Sequence, residues 1–93
     1  MKAEILIYTR QGCCLCEEMK RVIRPIAERY SIAVKEIDID SRPQLQERYT
    51  HEVPVLFIND RKAFKYRVTA KALEATLIRA QRQGKLGSFF RQR

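Results

Sequence analysis

A chain of 93 residues with 45% apolar side chains suits one domain with its own core and leaves no room for two. Its unbroken apolar runs, ILIY and VLFI, are far too short for a bilayer span. The +8 net charge is uneven: residues 1–60 carry 9 Lys/Arg against 10 Asp/Glu, while residues 61–93 carry 10 against Glu74 alone, so the anion-attracting field belongs to the last third.

The opening MKAEILIYTRQG contains Glu4 and no long apolar stretch before a small-residue cleavage site. A secretory leader is therefore not expected, and a cytoplasmic setting is. In that setting clustered cysteines are catalytic or metal-binding more often than structural.

The chain first offers a strand over Ala3–Thr9, whose run Ile5-Leu6-Ile7-Tyr8 reads as a central strand buried on both faces. Gln11-Gly12 breaks it. From Cys14 to Tyr30, apolar residues at 15, 19, 22, 23, 26 and 30 make one helical stripe. Pro25 inside that stripe predicts a kink. Ile32–Asp40 reads as an alternating strand, and Ser41–Tyr49 as a short helix with Ser41 as cap and Pro43 in its first turn.

Pro54–Ile58 is a further buried strand, and Asn59-Asp60 turns it into a hairpin with Lys62–Tyr66. Thr69 can cap a last helix with Ala72, Leu73, Thr76, Leu77 and Ala80 on its inner face, and Gly84 is expected to end it. The reading divides the chain into a domain over 1–83 and a basic tail over 84–93, with Phe89 and Phe90 as candidates to dock on the body. The order β-α-β-α-β-β-α predicts an α/β fold, a four-stranded mixed sheet flanked by helices on both faces.

The chemistry concentrates in Gly12-Cys13-Cys14-Leu15-Cys16, which holds every thiol of the chain. Adjacent cysteines have Cα atoms about 3.8 Å apart, below the usual disulfide range, so a Cys13–Cys14 bridge would be strained. Cys14 and Cys16 point to different sides of a helix, whereas Cys13 and Cys16 share a face of its first turn. The bridging pair is expected to be Cys13–Cys16, with Cys14 a bystander.

Cys13 stands where the helix begins, so unpaired N–H groups and the positive helix end favour its thiolate, and Arg10 adds a nearby cation. Cys16, one turn inward, is the expected resolving thiol. Lowering a thiol pKa from about 8.5 to about 6.5 raises its thiolate roughly 25-fold at pH 7. A Brønsted slope near 0.45 takes back about 8-fold in nucleophilicity, so attack gains only about threefold. The larger gain comes when that sulfur leaves, which suits disulfide exchange better than one-way alkylation.

Three thiols and His51 total four zinc ligands on paper, but His51 lies 35 residues past Cys16 and no second ligand pair exists. No metal site is assigned, and His51 is given no role. A cluster shared between two copies through Cys13 is the other metal-based arrangement.

Tyr8-Thr9-Arg10-Gln11-Gly12-Cys13-Cys14-Leu15-Cys16 after a first strand, with Val53-Pro54 opening another some forty residues later, resembles the thioredoxin superfamily and most of all its glutaredoxin-like branch. The resemblance covers residues 3–83. It implies a thioredoxin-like fold, a cis Val53–Pro54 bond, and substrate binding by Arg10, Val53 and Pro54 beside a redox-active Cys13–Cys16 disulfide. A cis X-Pro bond turns the chain and leaves the preceding backbone open to pair with an extended substrate.

Two departures stand out. Cys14-Leu15 replaces the Pro-Tyr found between the cysteines of typical glutaredoxins. Phe64-Lys65-Tyr66-Arg67-Val68 stands where glutaredoxins carry a Gly-Gly-x-Asp stretch that grips glutathione. With no glycine or acid there, Lys65 and Arg67 become the candidates to hold glutathione carboxylates, or another reductant serves.

The reading is a thiol–disulfide oxidoreductase with no cofactor, glutathione being a candidate co-substrate. Its expected partners are protein disulfides or glutathione mixed disulfides, with a reductase or low-molecular-weight thiol as donor. It is expected to be a monomer, with no membrane or nucleic-acid partner. Two other classes stay open: a redox-inactive module whose basic third, 61–93, binds an acidic protein or nucleic acid, and a metal or cluster carrier.

Overall fold

The computed structural model describes the backbone of residues 3–91 and the side chains of residues 3–82. Strands β1 (Glu4–Thr9), β2 (Ala33–Asp38), β3 (Val55–Ile58) and β4 (Arg61–Lys65) form one sheet in the order β2-β1-β3-β4. Helix α1 (Cys14–Tyr30) joins β1 to the parallel β2, α2 (Pro43–Tyr49) precedes β3, and α3 (Ala70–Arg91) follows the hairpin. β3 runs antiparallel to both β1 and β4. The expected order and mixed sheet are therefore present. Among the described residues, no helix is long and apolar enough to cross a membrane.

Two apolar clusters cover the two faces of the sheet. On one, Ile5, Ile7, Leu56 and Ile58 meet Met19, Ile23 and Ile26 of α1 and Leu73 and Leu77 of α3. Burying each such side chain contributes about 1.5–3 kcal/mol. On the other, Ile39, Tyr49 and Val55 pack with Tyr8, Leu45 and Phe57, and the Tyr8 and Tyr49 rings stack at 4.8 Å. β1 is thus fully buried on one face only. Leu6 and Tyr8 are half-buried, because one short helix does not cover what two long ones do.

Several boundaries move for local reasons. The strand expected to reach Asp40 stops at Asp38, where its pairing with Thr9 ends. Asp38 then accepts the Asp40 N–H at 2.8 Å, and Ile39–Ser41 winds into a 3₁₀ turn that buries Ile39. Ser41 is not the cap of α2. Its hydroxyl donates to the Asp38 carbonyl at 2.6 Å, and Arg42 occupies the cap with no side-chain bond, while Pro43 takes the first turn as expected. β3 starts at Val55, just past Pro54, and β4 occupies Arg61–Lys65. Asn59 (φ 51°) and Asp60 (φ 67°) make the tight turn between them.

Pro25 lies on the exposed face of an unbroken α1, where the carbonyl it leaves unpaired can face water. Thr69 caps α3 as expected, its hydroxyl accepting the Ala72 N–H at 3.1 Å. The stop expected at Gly84 is not used, because α3 continues to Arg91. A glycine inside a helix costs only about 1 kcal/mol, and Arg82, Gln83, Lys85 and Leu86 around it are good helix formers. Docking of Phe89 and Phe90 falls outside the described side chains.

Candidate functional site

Sheet register brings three connections to one end of the molecule. β1 runs into the thiol loop at Thr9, and its antiparallel pairing of Tyr8 with Val55 sets Pro54 beside that exit. Val55 also pairs with Lys65, so the chain leaving β4 arrives at the same edge, and the Tyr66 N–H donates to the Pro54 carbonyl at 2.9 Å. The Val53–Pro54 bond is cis. No backbone–backbone hydrogen bond among the described residues uses Val53.

The thiol loop is a helix start in which sulfur replaces the usual capping oxygen. Gly12 takes φ 75°, a left-handed conformation that favours glycine, with open space where a side chain would stand. Its demand is therefore conformational. Cys13 then occupies the cap of α1 in extended geometry (φ −92°, ψ 111°). Its Sγ accepts the Cys16 N–H at 3.3 Å, its carbonyl accepts the Glu17 N–H, and its own N–H donates to the Arg10 carbonyl. One donor that the helix end leaves over thus points at the Cys13 sulfur.

The three thiols differ sharply in exposure. Cys14 is exposed, Cys13 is half-buried, and Cys16 has no accessible surface. Burial pushes the Cys16 thiol up to about 12, helped by its hydrogen bond to Cys13 and by that neighbour's charge. A backbone bond to Arg10 and the charge of Lys20, one turn further along α1, oppose the rise. Cys13 and Cys16 are therefore within hydrogen-bonding reach, while Cys14 is exposed to solvent.

Arg10 is near the pair but aimed elsewhere. Its guanidinium grips Asp40 with contacts of 2.9, 3.0 and 3.3 Å, and Gln46 donates to the same carboxylate at 3.0 Å. The Arg10 bonds hold the Asp40 carboxyl below the usual carboxylate range. Most of the Arg10 charge is thus answered by Asp40, and the expected cation beside Cys13 is weakened. Asp40 lies 30 residues away, and no local pattern in the sequence announces that pairing. Lys20, held by Glu17 at 2.7 Å and Glu36 at 3.0 Å, was equally unannounced as a charge acting on Cys16.

The hairpin exit differs from what a glycine-rich turn would make. Tyr66 adopts φ 70°, where a bulky residue is strained, and its hydroxyl donates to the His51 carbonyl at 2.9 Å. Lys65 lies against the Tyr66 ring and within 3.8 Å of Glu52, which also takes Lys62 at 2.7 Å. His51 itself is exposed. Among the described residues, no three His, Cys, Asp or Glu side chains gather as metal ligands.

A helix-start thiol, a buried second thiol one turn on and a cis-proline loop, on this sheet order, define a glutaredoxin-like protein of the thioredoxin superfamily. The Glutaredoxin-like domain (DUF836) model matches residues 4–78, and the chain belongs to that family. It is 32% identical over 85 residues to the "Glutaredoxin-like protein YDR286C homolog" of Dictyostelium discoideum, covering 85% of this chain and 79% of that protein.

Among solved structures, the chain is similar to protein Ne2328 of Nitrosomonas europaea at 30% identity and a TM-score of 0.69, covering 83% of this chain and 93% of that one. The X. campestris protein XcR50 gives 26% and 0.65, covering 82% and 97%. Fasciola hepatica thioredoxin, at 13% identity and a TM-score of 0.62 over 84% and 80%, shares the fold alone.

Proposed function

We propose that the protein is a thiol–disulfide oxidoreductase working through Cys13 and Cys16. The observation that carries this reading is the capping sulfur: half-exposed, facing the Cys16 N–H at 3.3 Å, and backed by a fully buried second thiol. The Cys13 thiolate attacks a substrate disulfide, forming one S–S bond and releasing one substrate thiolate. Cys16 then gives up its proton and attacks the Cys13 sulfur, releasing the second substrate thiolate and leaving a Cys13–Cys16 disulfide. Two electrons from a low-molecular-weight thiol or a reductase restore the dithiol.

The high Cys16 pKa fits this order of events. Its hydrogen bond with Cys13 and that neighbour's charge both help hold it protonated. Burial, the larger cause, persists, but these two disappear once the Cys13 sulfur is tied up in a mixed disulfide, which makes the resolving thiol easier to deprotonate than in the resting dithiol. The open backbone at Val53 supports docking of an extended chain.

The binding-module reading gains no support from the hairpin. Phe64 packs against the core, Tyr66 is bonded to His51, and Lys62 and Lys65 are taken by Glu52. The deciding experiment is reduction of a mixed disulfide by wild type, Cys13→Ser, Cys14→Ser and Cys16→Ser, with glutathione or thioredoxin reductase supplying electrons. Turnover should vanish in Cys13→Ser and persist in Cys14→Ser, and the donor that sustains it identifies the physiological reductant class. Turnover that survives Cys13→Ser would refute the assignment.

A further inference from the structure

A cavity of about 450 Å³ opens between α1 and the segment that carries β4 into α3, and the thiols do not line it. Its floor is apolar: Met19 and Val22 from α1, Phe64 from β4, then Val68 and Ala72. Met19 is buried and the others are half-buried, so the floor is core whose outer side stays wet. The cavity borders the candidate site. Its α1 wall begins at Glu18, two residues beyond Cys16, and Tyr66 on its rim is bonded to Pro54.

Its charges are arranged with a direction. Glu18 stands on the α1 wall and Arg67 on the opposite one; both are exposed, and neither joins an ion pair among the described residues. A carboxylate entering the groove is drawn to one wall and repelled by the other, which selects and orients it. The +9 net charge of residues 61–93 favours approach of acidic chains to the molecule as a whole.

We propose that this groove docks the polypeptide around a substrate's disulfide, taking an apolar side chain onto Met19 and Val22 and an acidic one against Arg67. The proposal rests on thiol exchange at Cys13 and adds what the substrate carries. Met19 and Val22 lie six and nine residues past Cys13, ~9–13 Å along the helix. An extended chain advances about 3.3 Å per residue, so the apolar residue falls about three positions from the substrate cysteine. An acid beside it then reaches Arg67.

The test uses the nonapeptide ELSSCSSLE, which presents Leu three positions from Cys in either chain direction, as its mixed disulfide with thionitrobenzoate. In a single turnover of the reduced protein, release of thionitrobenzoate should show a second-order rate constant about tenfold above that for ESSSCSSSE or KLSSCSSLK. Arg67→Glu should raise about tenfold the concentration of the ELSSCSSLE disulfide that gives half the limiting single-turnover rate, with the limiting rate unchanged.

Arg61→Glu makes the same charge change at the far end of the hairpin and should keep the preference. Equal rates on the three peptides, or a preference that survives Arg67→Glu, would overturn the proposal. If wild type releases thionitrobenzoate from none of these, the exchange reading falls and binding decides the groove. In that case the cysteine-free ELSSSSSLE should shift the amide resonances of Met19, Val22 and Val68, about tenfold more weakly in Arg67→Glu. No shift at those residues would sink the groove as well.

Discussion

The thiol loop and the hairpin exit meet at the same end of the sheet, yet they are held by different means. The backbone from Arg10 to Glu17 is secured by its own neighbours, Cys13 bonding to Arg10, Cys16 to Cys13 and Glu17 to Cys13, and only the Arg10 side chain reaches far, to Asp40. Tyr66 is secured from a distance, its N–H on Pro54 and its hydroxyl on His51, twelve and fifteen residues away. The thiol loop is therefore written into a few consecutive residues, whereas the surface beside it is assembled from several segments.

The most severe way to separate the two is Cys13→Ser. Serine caps a helix at least as well as cysteine, so stability should hold while exchange falls more than a thousandfold, measured by thermal melting beside turnover. On the assembled side, Leu73→Ala removes a fully buried side chain where α3 meets the sheet and should cost about 2–5 kcal/mol by urea unfolding. The folded fraction of that variant should still exchange disulfides. A variant that lost chemistry in proportion to stability would erase the distinction.

Alkaline unfolding sharpens the thiol side. The Cys16 thiol holds its proton more tightly folded than free, so its contribution is complete below about pH 9 and is lost as pH rises toward about 12. Unfolding curves from pH 8 to 11 should show that decline in wild type and a flatter profile in Cys16→Ala. The smallest effect is Thr69→Ala, which removes the α3 cap and should cost about 1 kcal/mol while exchange is unchanged.

The same contrast explains what could be read beforehand. The helix from Cys14 to Tyr30, the Pro43 start, the Thr69 cap and the closeness of Cys13 to Cys16 all follow from spacings within one or two turns. The turn at Ile39 and the real partner of Ser41 depend on where β2 stops pairing with β1, which no local pattern in Ile37–Asp40 records. The Arg10–Asp40 grip joins residues 30 apart and redirects a charge that sequence proximity had aimed at Cys13. Gly84 reads as a stop by composition, yet one glycine is too small a penalty to end α3. The groove escaped notice because Met19, Phe64 and Ala72 read as core, and its wet face exists only once three elements meet.

Mapping the sulfur linkage after one turnover tests the exchange account most directly. Reduced protein is treated with a limiting mixed disulfide, quenched by alkylation, digested and examined by mass spectrometry. The account predicts a single bridge joining positions 13 and 16, with position 14 alkylated. A bridge that includes Cys14, or three alkylated thiols after the substrate has been reduced, would contradict it.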